Sequence, residues 1–223
     1  MNLIAIIQSR MSSERYPGKM LAPFLGKPIL YHVVERIRSS KIDLPIILAT
    51  SNQVTDDPLT LYAKNLGINV VRGDLNDVVG RYKLTLSSFK CDAFFRVCGD
   101  SPLLYPLLFD TASNIFEKNN YDLVTNVYPR TFPPGMSIEL IRTKTFINNE
   151  KNIVKKNDRE HLTQFFYRNS KKFKIFNIKC TNPIGSQLKL SLDELKQLKN
   201  LESWYLKNKE NYEKLFPIEK KYK

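Results

Sequence analysis

Five short apolar runs, separated by stretches of helical periodicity, restrict this 223-residue chain more than any other feature of it. Residues 3–8, 45–50, 69–72, 93–97 and 122–126 read as strands, near-continuous in apolar character as strands buried on both faces of a parallel sheet are. Between them, 28–40, 57–66, 76–89 and 104–118 carry apolar residues at helical spacing, and Pro58 and Pro102 suit the first turns of two of these helices. The alternation predicts an α/β fold: a doubly wound, mostly parallel sheet that binds ligands at the carboxyl ends of its strands. After residue 126 the rhythm stops. Tyr128-Pro129-Arg130-Thr131-Phe132-Pro133-Pro134-Gly135 predicts an extended arm over about 127–142, because each proline disfavours helix at the residue before it. Further on, 136–141, 172–179 and 187–192 read as strands. Asp158 reads as the cap of a helix reaching Arg168, and Asp193 as the cap of one from Glu194 to about Lys207. One domain over 1–208 and a polar tail over 209–223 follow.

The first strand breaks directly into Gln8-Ser9-Arg10-Met11-Ser12-Ser13-Glu14-Arg15-Tyr16-Pro17-Gly18-Lys19. Three cations, Arg10, Arg15 and Lys19, on one loop after a strand suit a polyanion such as a nucleoside triphosphate; a solvated basic loop is the alternative. The loop is neither G-x-x-x-x-G-K-[ST] nor G-x-G-x-x-G. Asp100 also follows a strand, where it either holds Mg²⁺ against triphosphate oxygens or caps the helix expected at Pro102. Thr50 and Ser51 can bond a base or ribose, or cap locally. Gly73 permits close backbone approach, and Asp77 and Arg81 can pair at i, i+4. Of the two histidines, His32 sits on a helix with an apolar face, whereas His161 follows two charged residues where it can meet an anion.

Charge is uneven: residues 1–141 hold 15 Lys+Arg against 13 Asp+Glu, and 142–223 hold 20 against 9. The excess is spread over helices and a Lys/Asn-rich end without a nucleic-acid motif, so DNA or RNA is not an expected partner. No apolar run approaches 18 residues, so no transmembrane helix is expected, and no signal peptide is visible. Cys91, Cys98 and Cys180 lack C-x-x-C spacing and read as free thiols of a cytoplasmic protein.

The motifs together resemble the acylneuraminate cytidylyltransferase family, closest to its SpsF-like branch of spore coat polysaccharide biosynthesis. The loop 8–19 is similar to Q/P-A-R-x-G-S-x-R-L-P-G-K, with Ser12 where the family usually has Gly. Gly99-Asp100-Ser101-Pro102-Leu103 matches G-D-x-P-L, and Arg72 to Tyr82 matches R-G-x-x-x-D-V-L-x-R-Y. Leu48 to Ser51 with Asp56-Asp57 resembles A-T-S…D-D, and Arg159-Glu160-His161-Leu162-Thr163 matches R-E-H-x-T. The resemblance implies a Rossmann-like sheet of the nucleotide-diphospho-sugar transferase type. It implies transfer of CMP from CTP to a sugar acid or a phosphorylated sugar or polyol, with release of pyrophosphate, in surface glycan synthesis. It assigns nucleotide contacts to Gln8, Ser9, Arg10, Met11, Ser12, Arg15, Lys19, Thr50, Ser51, Arg72, Gly73, Asp77 and Asp100. Arg10, Lys19 and Asp100 would be catalytic, Asp100 and Asp193 would bind Mg²⁺, and Glu139, Glu160 and His161 would meet a small anionic acceptor. It also implies a homodimer built on the arm, with Phe132 as an anchor. Two other readings stay open: a sugar-1-phosphate nucleotidylyltransferase using another nucleotide, though its usual G-G-x-G-T/S-R-L loop is absent, and a nucleotide-binding protein that has lost turnover.

Overall fold

The computed structural model describes residues 1–182 and 188–219. Its elements run β1 (Leu3–Gln8), a two-strand hairpin of β2 (Pro23–Phe24) and β3 (Lys27–Pro28), α1 (Ile29–Arg38), β4 (Ile46–Ser51), α2 (Asp57–Asn65), β5 (Asn69–Gly73), α3 (Val78–Ser88), β6 (Ala93–Cys98) and α4 (Pro106–Lys118). Then come β7 (Leu123–Thr125), β8 (Glu139–Arg142), α5 (Thr143–Asn149), α6 (Lys156–Glu160), α7 (Thr163–Arg168), β9 (Ile175–Asn177) and α8 (Leu195–Asn208). The main sheet has the order β5-β4-β1-β6-β8-β7-β9. Only β8 runs against its neighbours; β4, β5, β6 and β1 pair in parallel, as do β7 and β9.

The period of two in β1 builds both faces of the fold. Leu3, Ala5 and Ile7 pack into a core with α1, α4 and α8, while Ile4 and Ile6 enter a second core under α3, α5 and α7. β6 divides in the same way, Phe95 and Val97 facing the first core and Phe94 the second. A sheet covered on both faces is what the near-continuous apolar runs require.

Several boundaries differ from those read in the sequence. Helix α4 opens at Pro106, not Pro102, leaving residues 99–105 as a loop at the end of β6. The helix expected from Asp158 to Arg168 is broken at His161 and Leu162 into α6 and α7. Asp158 is no cap; it is buried within α6, with its carboxylate on Arg168. Of the strand expected over 187–192, Gln187 lies outside the described residues. Residues 188–192 bond to loops instead, Leu190 N–H donating to Pro134 O at 2.7 Å and Leu192 N–H to Asp100 O at 2.9 Å. Glu194, not Asp193, caps α8, in a reciprocal capping box with Gln197. Residues 209–219 are not a free polar tail: Tyr212, Phe216 and Ile218 are buried, and the Tyr212 hydroxyl donates to Leu103 O.

The arm is also part of the domain. Phe132, Met136 and Ile138 are fully buried in the first core. Gly135, at φ +101°, lies so close to Leu190 that a Cβ would stand 2.3 Å from its carbonyl carbon. Phe132 is therefore enclosed by its own chain, and the argument from it to a dimer anchor falls. Among the described residues no helix is long and apolar enough to cross a membrane, and all three cysteines are free thiols.

Phe132→Ala is expected to cost about 3–5 kcal/mol of unfolding free energy, the range for emptying a buried phenylalanine site. Equilibrium urea unfolding checks this, and sedimentation velocity is expected to show no change in association.

Candidate active site

β1 and β6 lie side by side, Gln8 opposite Cys98, so their following loops leave the sheet together. Gly99 lets them stay close: its N–H donates to Gln8 O at 3.0 Å, and a Cβ there would stand 2.7 Å from Ser9 Oγ. The loop after β1 is pinned by Asp56, which is fully buried. That carboxylate accepts from Met11 N–H at 2.7 Å, Thr50 Oγ1 at 2.9 Å, Ser51 N–H at 3.0 Å and the Ser51 hydroxyl. Met11 O then accepts from Ser13 N–H and Gly18 N–H, both at 2.9 Å, with Gly18 at φ +75° turning the chain towards Lys19.

Lys19 is nearly buried, and its ammonium joins three distant segments. It donates to Leu192 O at 2.8 Å and Asp100 Oδ2 at 3.3 Å, and lies 3.9 Å from Asp193 Oδ1. Because Glu194 caps α8, the Asp193 side chain is released to this cluster, where it also meets Arg15 at 3.0 Å and Lys189 at 2.6 Å. Partial burial raises the Asp193 pKa, but the bond from Lys189 and the charges of Lys189, Lys19 and Arg15 outweigh it, and the carboxyl titrates below its ordinary value. Asp193 thus stays ionised throughout the neutral range.

A pocket of about 650 Å³ opens above these groups. Of the residues singled out in the sequence, Gln8, Ser9, Arg10, Ser12, Arg15, Lys19, Asp100, Glu160, His161 and Asp193 line it. Helix α6 forms the opposite wall. Glu160 O accepts from Gln8 Nε2 at 3.4 Å, its carboxylate meets Arg10 Nη2 at 3.5 Å, and Arg159 clasps Asp77 at 2.9 and 2.6 Å. Buried side-chain atoms without a hydrogen-bond partner among the described residues gather here: Gln8 Oε1, Ser9 Oγ, Ser12 Oγ, Arg81 Nε and Nη1, and Arg96 Nε. Buried polar atoms without partners are costly, so their concentration around one cavity marks a ligand site. Ser12, standing where the resembled family has Gly, keeps a hydroxyl available in that lining.

Other expected contacts are not brought to the pocket. Met11 contributes only its backbone, bonded to Asp56. Thr50 and Ser51 are buried on Asp56, and Arg72 is held by Ser51 O, Gln53 O and Asp57. Gly73 faces the stem of Arg81, 2.9 Å from a built Cβ to Arg81 Cγ, so it makes room for a side chain. Asp77 caps α3 through Gly80 N–H and holds Arg159. Glu139 is buried against Arg96 and accepts from the Tyr167 hydroxyl at 2.5 Å, which occupies it within the protein. Sequence reasoning missed Arg81 and Arg96 as pocket residues, together with Asn76, Cys98 and Lys156. The R-Y end of the 72–82 motif is the one sequence signal for Arg81.

Among the described residues no three metal-ligating side chains come together. Asp100 and Asp193, sharing one ammonium on the pocket floor, fit instead the way Mg²⁺ is held, by one or two carboxylates with phosphate oxygens and water completing the shell.

Residues 4–222 match the cytidylyltransferase family. The chain is 31% identical over 200 residues to an uncharacterized protein of Methanocaldococcus jannaschii, covering 89% of this chain and 81% of that one. It is 25% identical to the spore coat polysaccharide biosynthesis protein SpsF of Bacillus subtilis, over 92% of this chain and 87% of SpsF. A 3-deoxy-manno-octulosonate cytidylyltransferase of Bdellovibrio bacteriovorus is 28% identical over 58% of this chain and 52% of its own. In three dimensions the chain is similar to a cytidylyltransferase from Leptospira borgpetersenii, with a TM-score of 0.88 at 30% identity over 93% of this chain and 87% of that one.

Asp56→Asn places an amide donor among the donors that the carboxylate satisfied. It is expected to lower unfolding free energy by about 2–3 kcal/mol, the scale of hydrogen bonds to a buried charge. Equilibrium denaturation measures it, and tryptic cleavage at Arg10 or Arg15 is expected to accelerate as the loop comes free.

Proposed function

The chain belongs to the cytidylyltransferase family, and from that premise we propose that it transfers CMP from CTP to a small anionic acceptor, a sugar acid or a phosphorylated sugar or polyol. The names of its relatives favour that acceptor class and a role in surface glycan synthesis. The observation that carries the reading is the pocket floor: two carboxylates and the Lys19 ammonium beside unpartnered hydroxyls of Ser9 and Ser12.

An acceptor oxygen attacks the α-phosphorus of CTP in line, the bond to the β-phosphate oxygen breaks, and pyrophosphate leaves with that bond's electron pair. Arg15 and Lys19 neutralise the charge gathering on the leaving group, and Arg10 helps hold the triphosphate. Gln8, Ser9 and Ser12 supply neutral contacts where buried polar atoms otherwise have none. Asp100 and Asp193 would hold Mg²⁺, which supplies charge neutralisation and orientation of phosphate oxygens when bound. Glu160 and His161, on the far wall, would receive the acceptor and its proton. No protein nucleophile is required, and the rate comes from positioning and electrostatics. Three free thiols suit a reducing compartment such as the cytoplasm.

Asp100→Asn is expected to retain the fold and lose roughly 10²-fold or more in turnover, the scale of one electrostatic contact to a transition state. Pyrophosphate release from CTP with Mg²⁺ and a panel of sugar acids and sugar phosphates measures it, with product mass identifying the acceptor. Activity within a few-fold of wild type would reduce Asp100 to an ion-pair partner of Lys19. Wild-type protein is also expected to melt higher with CTP than with UTP, ATP or GTP at equal concentration.

A further inference from the structure

The positive charge of the second half of the chain, which the proposed reaction leaves unused, has a local concentration. Helix α5 continues without a break into a 3₁₀ turn over Glu150–Asn152, and this rod buries Thr145, Phe146 and Glu150. Lys144, Ile147, Asn148 and Lys151 stand at i, i+3, i+4 and i+7 and share its outward face, all four exposed. Ile153 then enters the second core, and Val154, Lys155 and Lys156 continue the ridge to the first turn of α6, again exposed.

The acids of this stretch are turned away from solvent. Glu150 is 2.6 Å from Lys83, and the buried Asp158 holds Arg168. The exposed surface from 144 to 157 therefore carries four lysines and no carboxylate. None of the four has an ion-pair partner among the described residues. Between them stand two aliphatic side chains, Ile147 at 42% and Val154 at 74% exposure. The basic character is not uniform over the molecule: on and after α8, which covers the opposite face of the sheet, lysines alternate with Glu194, Glu202, Glu210 and Glu213.

This composition selects among occupants. A second copy of the chain would set the cationic ridge against itself across a two-fold axis, and two aliphatic side chains are too little for the core of a stable interface. Nucleic acid is gripped by aromatic stacking and arginine forks, and the ridge has neither. An anionic lipid surface is complementary to both of its components. Phosphate headgroups attract the ammonium groups, the lysine stems lie along the interface, and the aliphatic side chains enter the acyl boundary.

We infer that the ridge from Lys144 to Lys156 docks the protein on an anionic membrane surface, with Val154 as the inserting side chain. Lys156 also lines the pocket, so docking sets the pocket mouth beside the headgroups. The inference is independent of which nucleotide the pocket takes.

Co-sedimentation with phosphatidylcholine vesicles, with and without phosphatidylglycerol, tests it. Wild type is expected to bind only the vesicles that contain phosphatidylglycerol, and less as salt rises. The double variant Lys151→Gln, Lys155→Gln is expected to weaken binding by about 10- to 30-fold, the scale of removing two basic residues from an anionic surface. Val154→Asp is expected to weaken it by about 10-fold or more at unchanged melting temperature, since the side chain is exposed. Lys199→Gln with Lys207→Gln removes the same charge from α8 and is expected to leave binding as it was. An equal loss in that control, or no binding by wild type, would overturn the proposal. Binding to heparin as tight as to the vesicles, with Val154→Asp without effect on either, would also overturn it and leave a surface for soluble polyanions. Should Val154→Asp fail to fold, Val154→Ser and the lysine double variant decide in its place.

Discussion

The pocket depends on one nearly buried ammonium. Lys19 draws the first loop, the end of β6 and the segment before α8 onto a single point, through Asp100, Leu192 O and Asp193. An ammonium in that setting needs partners, and the two carboxylates would repel each other without it, so each stabilises the presence of the other. Asp56 performs the matching task on the outer side of the loop, where it ties Met11 to the end of β4. Between these anchors the loop 9–18 has little freedom, although it contains no regular structure of its own.

The parallel half of the sheet was legible because its burial leaves a simple record. Strands covered on both faces must be apolar throughout, and β1 has the boundaries its residues predict, Leu3 to Gln8. Where two local signals compete, the sequence is ambiguous. Pro102 and Pro106 can each open a helix, and the second does. Asp193 and Glu194 can each cap α8, and Glu194 does so because its side chain accepts from the Gln197 N–H, while Gln197 Oε1 accepts from the N–H groups of both. A hydroxyl at a strand end looks the same whether it meets a ligand or a neighbouring carboxylate, which is why Thr50 and Ser51 read as nucleotide contacts while they bond Asp56.

The site was legible where it is contiguous and obscure where it is assembled. Arg10, Arg15 and Lys19 are visible together on one loop, whereas Arg81 and Arg96 reach the pocket from a helix and a strand interior. At positions that regular periodicity assigns to a face, an arginine gives no local sign that its head is desolvated. Arg96 pairs with Glu139 across the antiparallel β6–β8 contact, a pairing that only the sheet order discloses. The carboxylate expected to meet an acceptor is thereby spent on holding a wall.

The close contact of Gly135 with Leu190 has a consequence for how the molecule comes into being. The parallel strands β1, β4, β5 and β6 and the helices α1 to α4 draw on the first 118 residues. The floor of the pocket instead waits for partners far apart in sequence: Pro134 with Leu190, Asp100 with Leu192, Lys19 with Asp193. Contacts of such long range close late, after the loop entropy between them has been spent. A nascent chain that has emerged only as far as α4 therefore holds the cationic loop without the opposing carboxylate of Asp193, and so exposes a charged surface before it has a binding site. Ligand capture is then a property of the finished chain, and a bound nucleotide, by bridging early and late segments, would act as a latch on the last step of assembly.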